Sequence, residues 1–222
     1  MRVAVSFLSK REEDMSLGKI LEMLPKLEQA GIDTIQWDLM DGKYNPNNTL
    51  RFFAFDMMES IMENTKMGGE THLMVLEPWI FVDKIKNCCS LIIFHLEACK
   101  NKSDVLKTID KIKSCGKKVG VAIEPETSVE SLYEYLEFLD TVLIMTVKTG
   151  YAGQSFIDMT DKIRKLVEIR AERNLDFEIE ADGGVNDKTV GPLREAGCDA
   201  VNSASYILNN DFERAVKVLK GI

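Results

Sequence analysis

Short apolar runs alternate along this chain with longer stretches in which apolar residues recur every three or four positions. The runs have the length of strands, and the spaced stretches have the period of an amphipathic helix. The first pair predicts a strand over residues 3–7 and a helix over residues 17–30, which a glycine at position 31 would end. Pro25 lies inside that helical pattern, so we expect it to kink the helix or end it early.

The same alternation continues along the rest of the chain. It predicts seven further strands, at residues 34–39, 71–75, 91–95, 118–123, 141–146, 177–181 and 199–202. The predicted helices that follow them are at residues 52–64, 79–86, 105–115, 129–138, 157–173, 188–195 and 212–219. Eight strand–helix repeats favour a parallel sheet closed into a single (β/α)8 barrel, with residues 1–222 forming one domain. A doubly wound open sheet is the competing fold, but it would not usually need eight repeats.

Composition and charge limit the partners that this chain can have. A formal net charge of −8 argues against binding to nucleic acid and to anionic membrane surfaces. It does not exclude a small anionic substrate, because a pocket can be locally positive. The apolar runs are too short to span a bilayer, and the N-terminus has no signal-peptide pattern. Five cysteines without a C-x-x-C pair indicate reduced thiols in a cytoplasmic protein.

The second predicted strand ends in polar residues. Strand alternation places Gln36 and Asp38 on one face and Ile35, Trp37 and Leu39 on the other. A carboxylate and an amide at the end of a buried strand are costly unless they bind something. On this run alone, an Asp38 that caps the following turn explains the pattern equally well.

Polar residues also follow the other predicted strands, where the active face of such a barrel lies. The strand ends carry Ser6, Asp38, His72, His95, Glu124, Thr146, Lys148, Asp182 and Ser205. Two carboxylates and a histidine at one mouth suit either a divalent metal or an acid–base pair. We expect His72 to be the ligand, because Asp38 lies on the adjacent strand, and His95 to be a hydrogen-bonded core residue.

Three glycine-containing or small-residue turns follow strands six, seven and eight. They are Gly150-Tyr151-Ala152-Gly153-Gln154, Asp182-Gly183-Gly184 and Ala204-Ser205. Backbone N–H groups in such turns, beside a helix N-terminus, can hold a phosphate, and barrels often bind phosphate after strands seven and eight. The pattern therefore predicts phosphate-binding loops after these three strands.

Several motifs together resemble one known family. They are Val5-Ser6-Phe7-Leu8, Asp38-Leu39-Met40-Asp41-Gly42 with Pro46-Asn47, His72-Leu73-Met74-Val75, Met145-Thr146-Val147 with the glycine loop after it, and Glu180-Ala181-Asp182-Gly183-Gly184. In order and spacing they resemble the ribulose-phosphate 3-epimerase family, which includes allulose-6-phosphate 3-epimerases. The resemblance implies a cytoplasmic, homo-oligomeric isomerase of carbohydrate metabolism that inverts C3 of a phosphorylated ketose, with ribulose 5-phosphate linking it to pentose phosphate chemistry.

The resemblance also assigns roles to residues. Asp38 and Asp182 would be the acid and base on opposite faces of the substrate, with an enediolate between the two proton transfers. One divalent metal ion (Zn, Mn, Fe or Mg) would be bound at Gln36, Asp38, His72 and Asp182. The implied substrate-binding residues are Ser6, His72, Met40, Met74, Met145, Gly150, Tyr151, Ala152, Gly153, Gly183, Gly184, Ala204 and Ser205. For the three methionines, plain core packing is the alternative.

The chain departs from the family pattern at several of these positions. Gln36 stands where the family has a metal-binding histidine, and a neutral amide oxygen is a weaker donor than imidazole. A weakened site, a metal-free site and a phosphosugar-binding protein without catalysis are all compatible with this change. The other altered positions are Lys43, Glu124, Lys148-Thr149, Asn202 and Ala204. Ala204 would disturb the phosphate turn if that turn needs a positive φ.

The leading hypothesis is a ketose-phosphate 3-epimerase. A phosphosugar lyase or decarboxylase and a non-catalytic phosphosugar-binding barrel are the alternatives. Lys148 could supply positive charge beside an enediolate, although a solvated loop lysine is the more ordinary interpretation.

Overall fold

The strands of this protein close into a parallel barrel. The computed structural model describes residues 1–8, 16–150 and 154–222. Neighbouring strands pair in chain order, and the last strand pairs with the first. The strands are β1 (Arg2–Ser6), β2 (Thr34–Met40), β3 (Gly68–Met74), β4 (Leu91–His95), β5 (Lys118–Ile123), β6 (Thr141–Met145), β7 (Glu178–Asp182) and β8 (Ala200–Asn202). The closed barrel confirms the predicted fold, and the open sheet is wrong.

Helical segments connect the strands around the outside of the barrel. They are α1 (Leu17–Ala30), α2 (Phe55–Glu63), α3 (Val82–Ile85), α4 (Lys102–Ser114), α5 (Thr160–Glu172), α6 (Val190–Glu195), α7 (Ser205–Leu208) and α8 (Phe212–Lys220). Most differ by a few residues from the predicted helices. No helix in the described part of the chain is long and apolar enough to cross a bilayer.

The single helix predicted for residues 129–138 is wrong. Two 3₁₀ turns, Val129–Leu132 and Leu136–Phe138, occupy this segment. The buried residues of this segment include Val129, Leu132, Tyr135 and Leu136, so their spacing mixes intervals of three and four. Apolar spacing over so short a segment did not distinguish the two kinds of helix.

Pro25 does not end α1 early, which is one of the two effects that the sequence predicts for it, the other being a kink. The helix continues to Ala30 and ends at Gly31, which has the left-handed φ of 85° and donates its N–H to Glu28 O. Pro25 lies on the exposed face of the helix, while Leu24 and Leu27 face the barrel. Because proline has no N–H, the carbonyl four residues before it, that of Leu21, lacks its usual helical hydrogen bond.

The two faces of β2 separate core packing from chemistry, as its alternation predicts. Ile35, Trp37 and Leu39 belong to the apolar core between the barrel and its helices. Trp37 contacts the ring of Phe53 edge-on, with 5.6 Å between ring centroids. The alternate residues face the barrel interior, and pairing of β2 with β3 sets Asp38 beside His72. This register positions the site.

The barrel interior also contains an ion cluster away from the strand C-termini. Arg2 at the start of β1 contacts Glu70 Oε2 at 2.5 Å and Glu180 Oε2 at 2.9 Å, and both glutamates are buried. Burial raises the pKa of both carboxyl groups, and the neighbouring guanidinium opposes that rise. Because Arg2 of β1 contacts a buried glutamate on β3 and another on β7, the cluster holds these three strands together inside the barrel.

Close packing at Gly69 of β3 gives a test of the fold. A Cβ added there would lie 2.4 Å from Cys88 O, a backbone atom that cannot turn aside. We expect Gly69→Ala to lower the free energy of unfolding by about 1–3 kcal/mol in urea denaturation, as overpacked sites do. Gly18→Ala in α1 is the matched control, because a Cβ there would meet no atom within 4 Å. It should leave stability unchanged or slightly raised, and equal effects of the two substitutions would contradict the packing.

Candidate active site

A pocket opens at the C-terminal ends of the strands, where the sequence predicts the site. The predicted residues that line it are Asp38, Met40, His72, Met74, Met145, Gly150, Asp182, Gly183, Gly184, Ala204 and Ser205. Ser6 and Gln36 are buried and contact the aspartates. The predicted residues Tyr151, Ala152 and Gly153 lie outside the described residues. Thus residues from six of the eight strands, or from the loops that follow them, converge on one cavity.

The two aspartates meet across the mouth of the barrel. Asp38 and Asp182 are 144 positions apart in the chain. They lie close together because β2 and β7 flank the neighbouring strands β1 and β8 in the closed barrel. Gln36 Nε2 donates to Asp38 Oδ1 at 2.9 Å and to Asp182 Oδ2 at 2.8 Å. His72 Nδ1 lies 3.3 Å and 3.4 Å from the same two oxygens. One amide and one imidazole therefore bridge the two carboxylates.

Two neutral side chains donate to the carboxylate oxygens that Gln36 does not contact. The Ser6 hydroxyl donates to Asp38 Oδ2. Asn202 Nδ2 donates to Asp182 Oδ1 at 3.0 Å. All four carboxylate oxygens thus accept a hydrogen bond, which satisfies two acidic groups whose exposed fractions are small: 4% for Asp38 and 14% for the Asp182 side chain.

His95 supports His72 from inside the barrel. The two rings stack with centroids 4.9 Å apart, and the Nε2 atoms are 2.8 Å apart. His95 is fully buried and hydrogen-bonded, which confirms the prediction of a core histidine. Burial lowers the pKa of His95, so its neutral ring accepts at Nε2 from His72. This contact orients His72 with Nδ1 toward the aspartates.

The other nitrogen of His95, Nδ1, faces Tyr44 and two further acidic residues, Glu124 and Glu97. His95 Nδ1 lies 3.1 Å from the Tyr44 hydroxyl, which donates to Glu124 Oε1 at 2.9 Å. Glu97 Oε2 lies 3.4 Å from the same nitrogen. Burial and the nearby Glu124 raise the pKa of Tyr44, so the phenol remains a donor. The sequence predicted neither Tyr44 nor Glu97, although the spacing of His95 and Glu97 across a strand end was a usable signal.

The charge of His72 follows from its acidic neighbours. Burial lowers the pKa of this histidine, but hydrogen bonds to Asp182 and Asp38 outweigh burial and raise it to about 10. An imidazolium between the two carboxylates would offset part of their repulsion. The position between the carboxylates is therefore one that favours positive charge.

The same side chains could hold a divalent metal ion. Ligand atoms of Asp38, His72 and Asp182 all lie within 4.8 Å of one another. Two carboxylate oxygens and an imidazole nitrogen suit zinc and the harder ions Mn²⁺ and Mg²⁺. Gln36 turns Nε2, not Oε1, toward the two aspartates, and its Oε1 is buried without a hydrogen-bond partner, so it would offer a fourth oxygen ligand only after the amide turns over. The donor set fits a divalent cation.

Two glycines that follow Asp182 also line the pocket. Gly183 has a φ of 117°, and a Cβ there would lie 2.4 Å from Val147 Cγ2. Gly184 has a φ of 65°, so both positions need glycine. Ala204 has a φ of −96°, so the expected conflict at this turn is wrong.

The three predicted methionines both pack and line the pocket. Met40, Met74 and Met145 are buried, and all three border the cavity. The pocket also has lining residues that the sequence did not predict: Leu8, Val147, Gln154, Val185, Asn202 and Ser203. Asn202 was noticed only as a departure from the family, although its place at the end of β8 indicated the pocket. Lys148 is exposed and does not line the cavity.

The fold and site together define a (β/α)8-barrel enzyme with paired carboxylates at the strand ends. The model of the ribulose-phosphate 3-epimerase family matches residues 2–208, and the chain belongs to this family. A ribulose-phosphate 3-epimerase of Chlamydia pneumoniae is 36% identical over 205 residues, 88% of this chain and 86% of the relative. One of Methanocaldococcus jannaschii is 35% identical over 222 residues, 99% and 90% of the two chains.

A solved structure supports the fold at much lower identity. The 3-hexulose-6-phosphate synthase of Salmonella typhimurium superposes with a TM-score of 0.70 and 14% identity, covering 100% of this chain and 97% of that one. At this identity the likeness concerns the barrel alone. The family match, by contrast, identifies an epimerase acting on carbohydrate phosphates.

The support of His95 by Tyr44 can be tested by stability. Tyr44→Phe removes the hydroxyl that lies between His95 Nδ1 and Glu124. We expect it to lower the free energy of unfolding by about 1–2 kcal/mol, because buried groups lose a hydrogen-bond partner. Tyr206→Phe is the control, since none of the hydrogen bonds described for Tyr206 involves its hydroxyl. If both variants unfold at the wild-type urea concentration, the proposed support is absent.

Proposed function

We propose that this protein inverts C3 of a phosphorylated ketose through an enediolate, with Asp38 and Asp182 as the acid–base pair. The observation that carries the proposal is their placement: both line one pocket, and both accept from Gln36 Nε2. Epimerisation requires a proton to leave one face of a carbon and another to arrive at the opposite face. Two carboxylates from opposite sides of a barrel mouth suit that requirement.

The surrounding donors keep each aspartate in place during proton transfer. Ser6 holds Asp38 Oδ2, and Asn202 holds Asp182 Oδ1. One aspartate takes the C3 proton as its ionised form, and the other delivers a proton as its acid form. Their roles exchange in the reverse reaction. Orientation by fixed hydrogen bonds matters because a misplaced base loses much of its effect.

Negative charge that develops on the substrate oxygens needs stabilisation. A divalent cation held by Asp38, His72 and Asp182, with Gln36 as a fourth candidate ligand, would supply Lewis-acid stabilisation when bound. His72 itself orients toward this region through its contact with His95. Met40, Met74 and Met145 border the same space with apolar surface, which keeps water from the reacting carbons.

The phosphate end of the substrate fits the glycine side of the pocket. The described lining residues include no lysine or arginine, so recognition there uses backbone N–H groups near Gly183 and Gly184 and the hydroxyl of Ser205. Such groups bind phosphate without a cationic side chain. The Ser203 hydroxyl already donates to Val185 O. A phosphate fixed at this side would place the ketose carbons toward the aspartates.

The alternative activities have less support. A lyase or decarboxylase would be favoured by a lysine near the carboxylates, but β3 provides His72 and Lys148 is exposed outside the pocket lining. A non-catalytic binding protein would not need two accessible carboxylates aimed at one cavity. Both aspartates have that arrangement here.

Replacement of each aspartate tests the proposal. Asp38→Asn and Asp182→Asn should each lower kcat for ribulose 5-phosphate or allulose 6-phosphate by about 10²–10⁴, because each removes one proton-transfer group. Asp161→Asn is the control, since that side chain is 99% exposed on α5. A loss below about tenfold in either site variant would contradict the assigned roles.

A further inference from the structure

Gln36 joins the two aspartates more directly than any other described side chain. It is 1% exposed, and its Nε2 atom donates one hydrogen to each carboxylate at 2.9 Å and 2.8 Å. An amide NH₂ group has two hydrogens, and both are used. The other end of the amide, Oε1, is buried and has no hydrogen-bond partner.

This arrangement adds to the contacts of His72 in keeping the two carboxylates together when no metal ion lies between them. Two acidic groups that share one donor atom repel each other, and a neutral donor between them offsets part of that repulsion. The unpartnered Oε1 atom is the cost of the orientation, since a buried oxygen without a donor loses its hydration. With a cation present, the preference reverses, because the amide oxygen is then the favourable end.

A neutral histidine at this position could not donate a separate hydrogen to each carboxylate. A neutral imidazole has one N–H and one acceptor nitrogen, so it can donate to only one of the two carboxylates. The glutamine therefore stabilises the cation-free arrangement of the pair more than an imidazole would. It still offers an oxygen ligand after the two ends of the amide exchange places.

We propose that Gln36 is a cation-linked positioning residue with two orientations. In one, Nε2 holds Asp38 and Asp182 together without a cation. In the other, Oε1 turns toward a cation bound by the aspartates and His72. The proposal rests on the proposed use of this cluster as a cation site. It goes beyond that use in two ways. Gln36 keeps the two aspartates together without a cation, and the cation is weakly held and exchanges readily.

Thermal unfolding of two variants tests the cation-free orientation, and Zn²⁺ binding by a third variant tests its effect on the cation. Gln36→Met keeps a similar volume without N–H donors, and it should lower the melting temperature in EDTA by about 4 °C or more. Gln29→Met on the exposed face of α1 is the control and should leave the melting temperature unchanged. Gln36→His should bind Zn²⁺ at least about tenfold more tightly than the wild type in calorimetry. An unchanged melting temperature for Gln36→Met in EDTA would overturn the cation-free orientation. An unchanged Zn²⁺ affinity for Gln36→His would overturn the claim that Gln36 leaves the cation weakly held.

The second orientation has a direct spectroscopic readout in the wild-type protein. The Gln36 side-chain amide signals, assigned by their loss in Gln36→Met, should be shifted downfield in EDTA by hydrogen bonds to carboxylates. Saturating Zn²⁺ should move both signals upfield and speed their exchange with water. Signals that keep their positions at saturating Zn²⁺ would refute the exchange of orientations.

These measurements do not depend on turnover. If Zn²⁺ moves the amide signals but the protein epimerises no ketose phosphate, the proposed function fails and the role of Gln36 stands. If turnover is normal but Zn²⁺ does not move the amide signals, the proposed function stands and the proposed role of Gln36 fails.

Discussion

The site of this protein depends on keeping two like charges together. Asp38 and Asp182 lie on strands that the barrel brings to one mouth, and their oxygens share Gln36 and His72 as partners. Without those bridges, repulsion between the carboxylates would push them apart or force one of them to be protonated. Closure of the barrel brings the pair together, and the shared donors keep it there.

The bridges are themselves supported by a continuous polar network inside an apolar barrel. His72 contacts His95, which contacts Tyr44 and Glu97, and Tyr44 contacts Glu124. Each of these contacts satisfies a buried group that would otherwise be costly. The network therefore connects the geometry of the two aspartates to the packing of β3, β4 and the loop after β2.

Much of this arrangement could be predicted from the sequence, because alternation within a strand and order along a barrel are local properties. The inward direction of Gln36 and Asp38 and the pairing of Asp38 with His72 followed from them. The contact of Asn202 with Asp182 joins paired residues of neighbouring strands and was missed. The bridging of both aspartates by Gln36 could not be predicted, because it depends on the distance between β2 and β7, which are not neighbours. Tyr44 was missed for the same reason, and the helix over residues 129–138 failed because short 3₁₀ and α-helical patterns overlap. The substrate contacts proposed for residues 151–153 stay predictions.

Isotope exchange during turnover in D₂O tests the central claim, that two separate carboxylates act on opposite faces of one carbon. At early times with the ketose phosphate that is turned over, we predict one deuterium at C3 of the product and none at C3 of the recovered substrate. That result requires that the group removing the proton is not the group delivering it. Deuterium entering the recovered substrate as fast as the product, or a product that retains its original C3 hydrogen, would contradict the account.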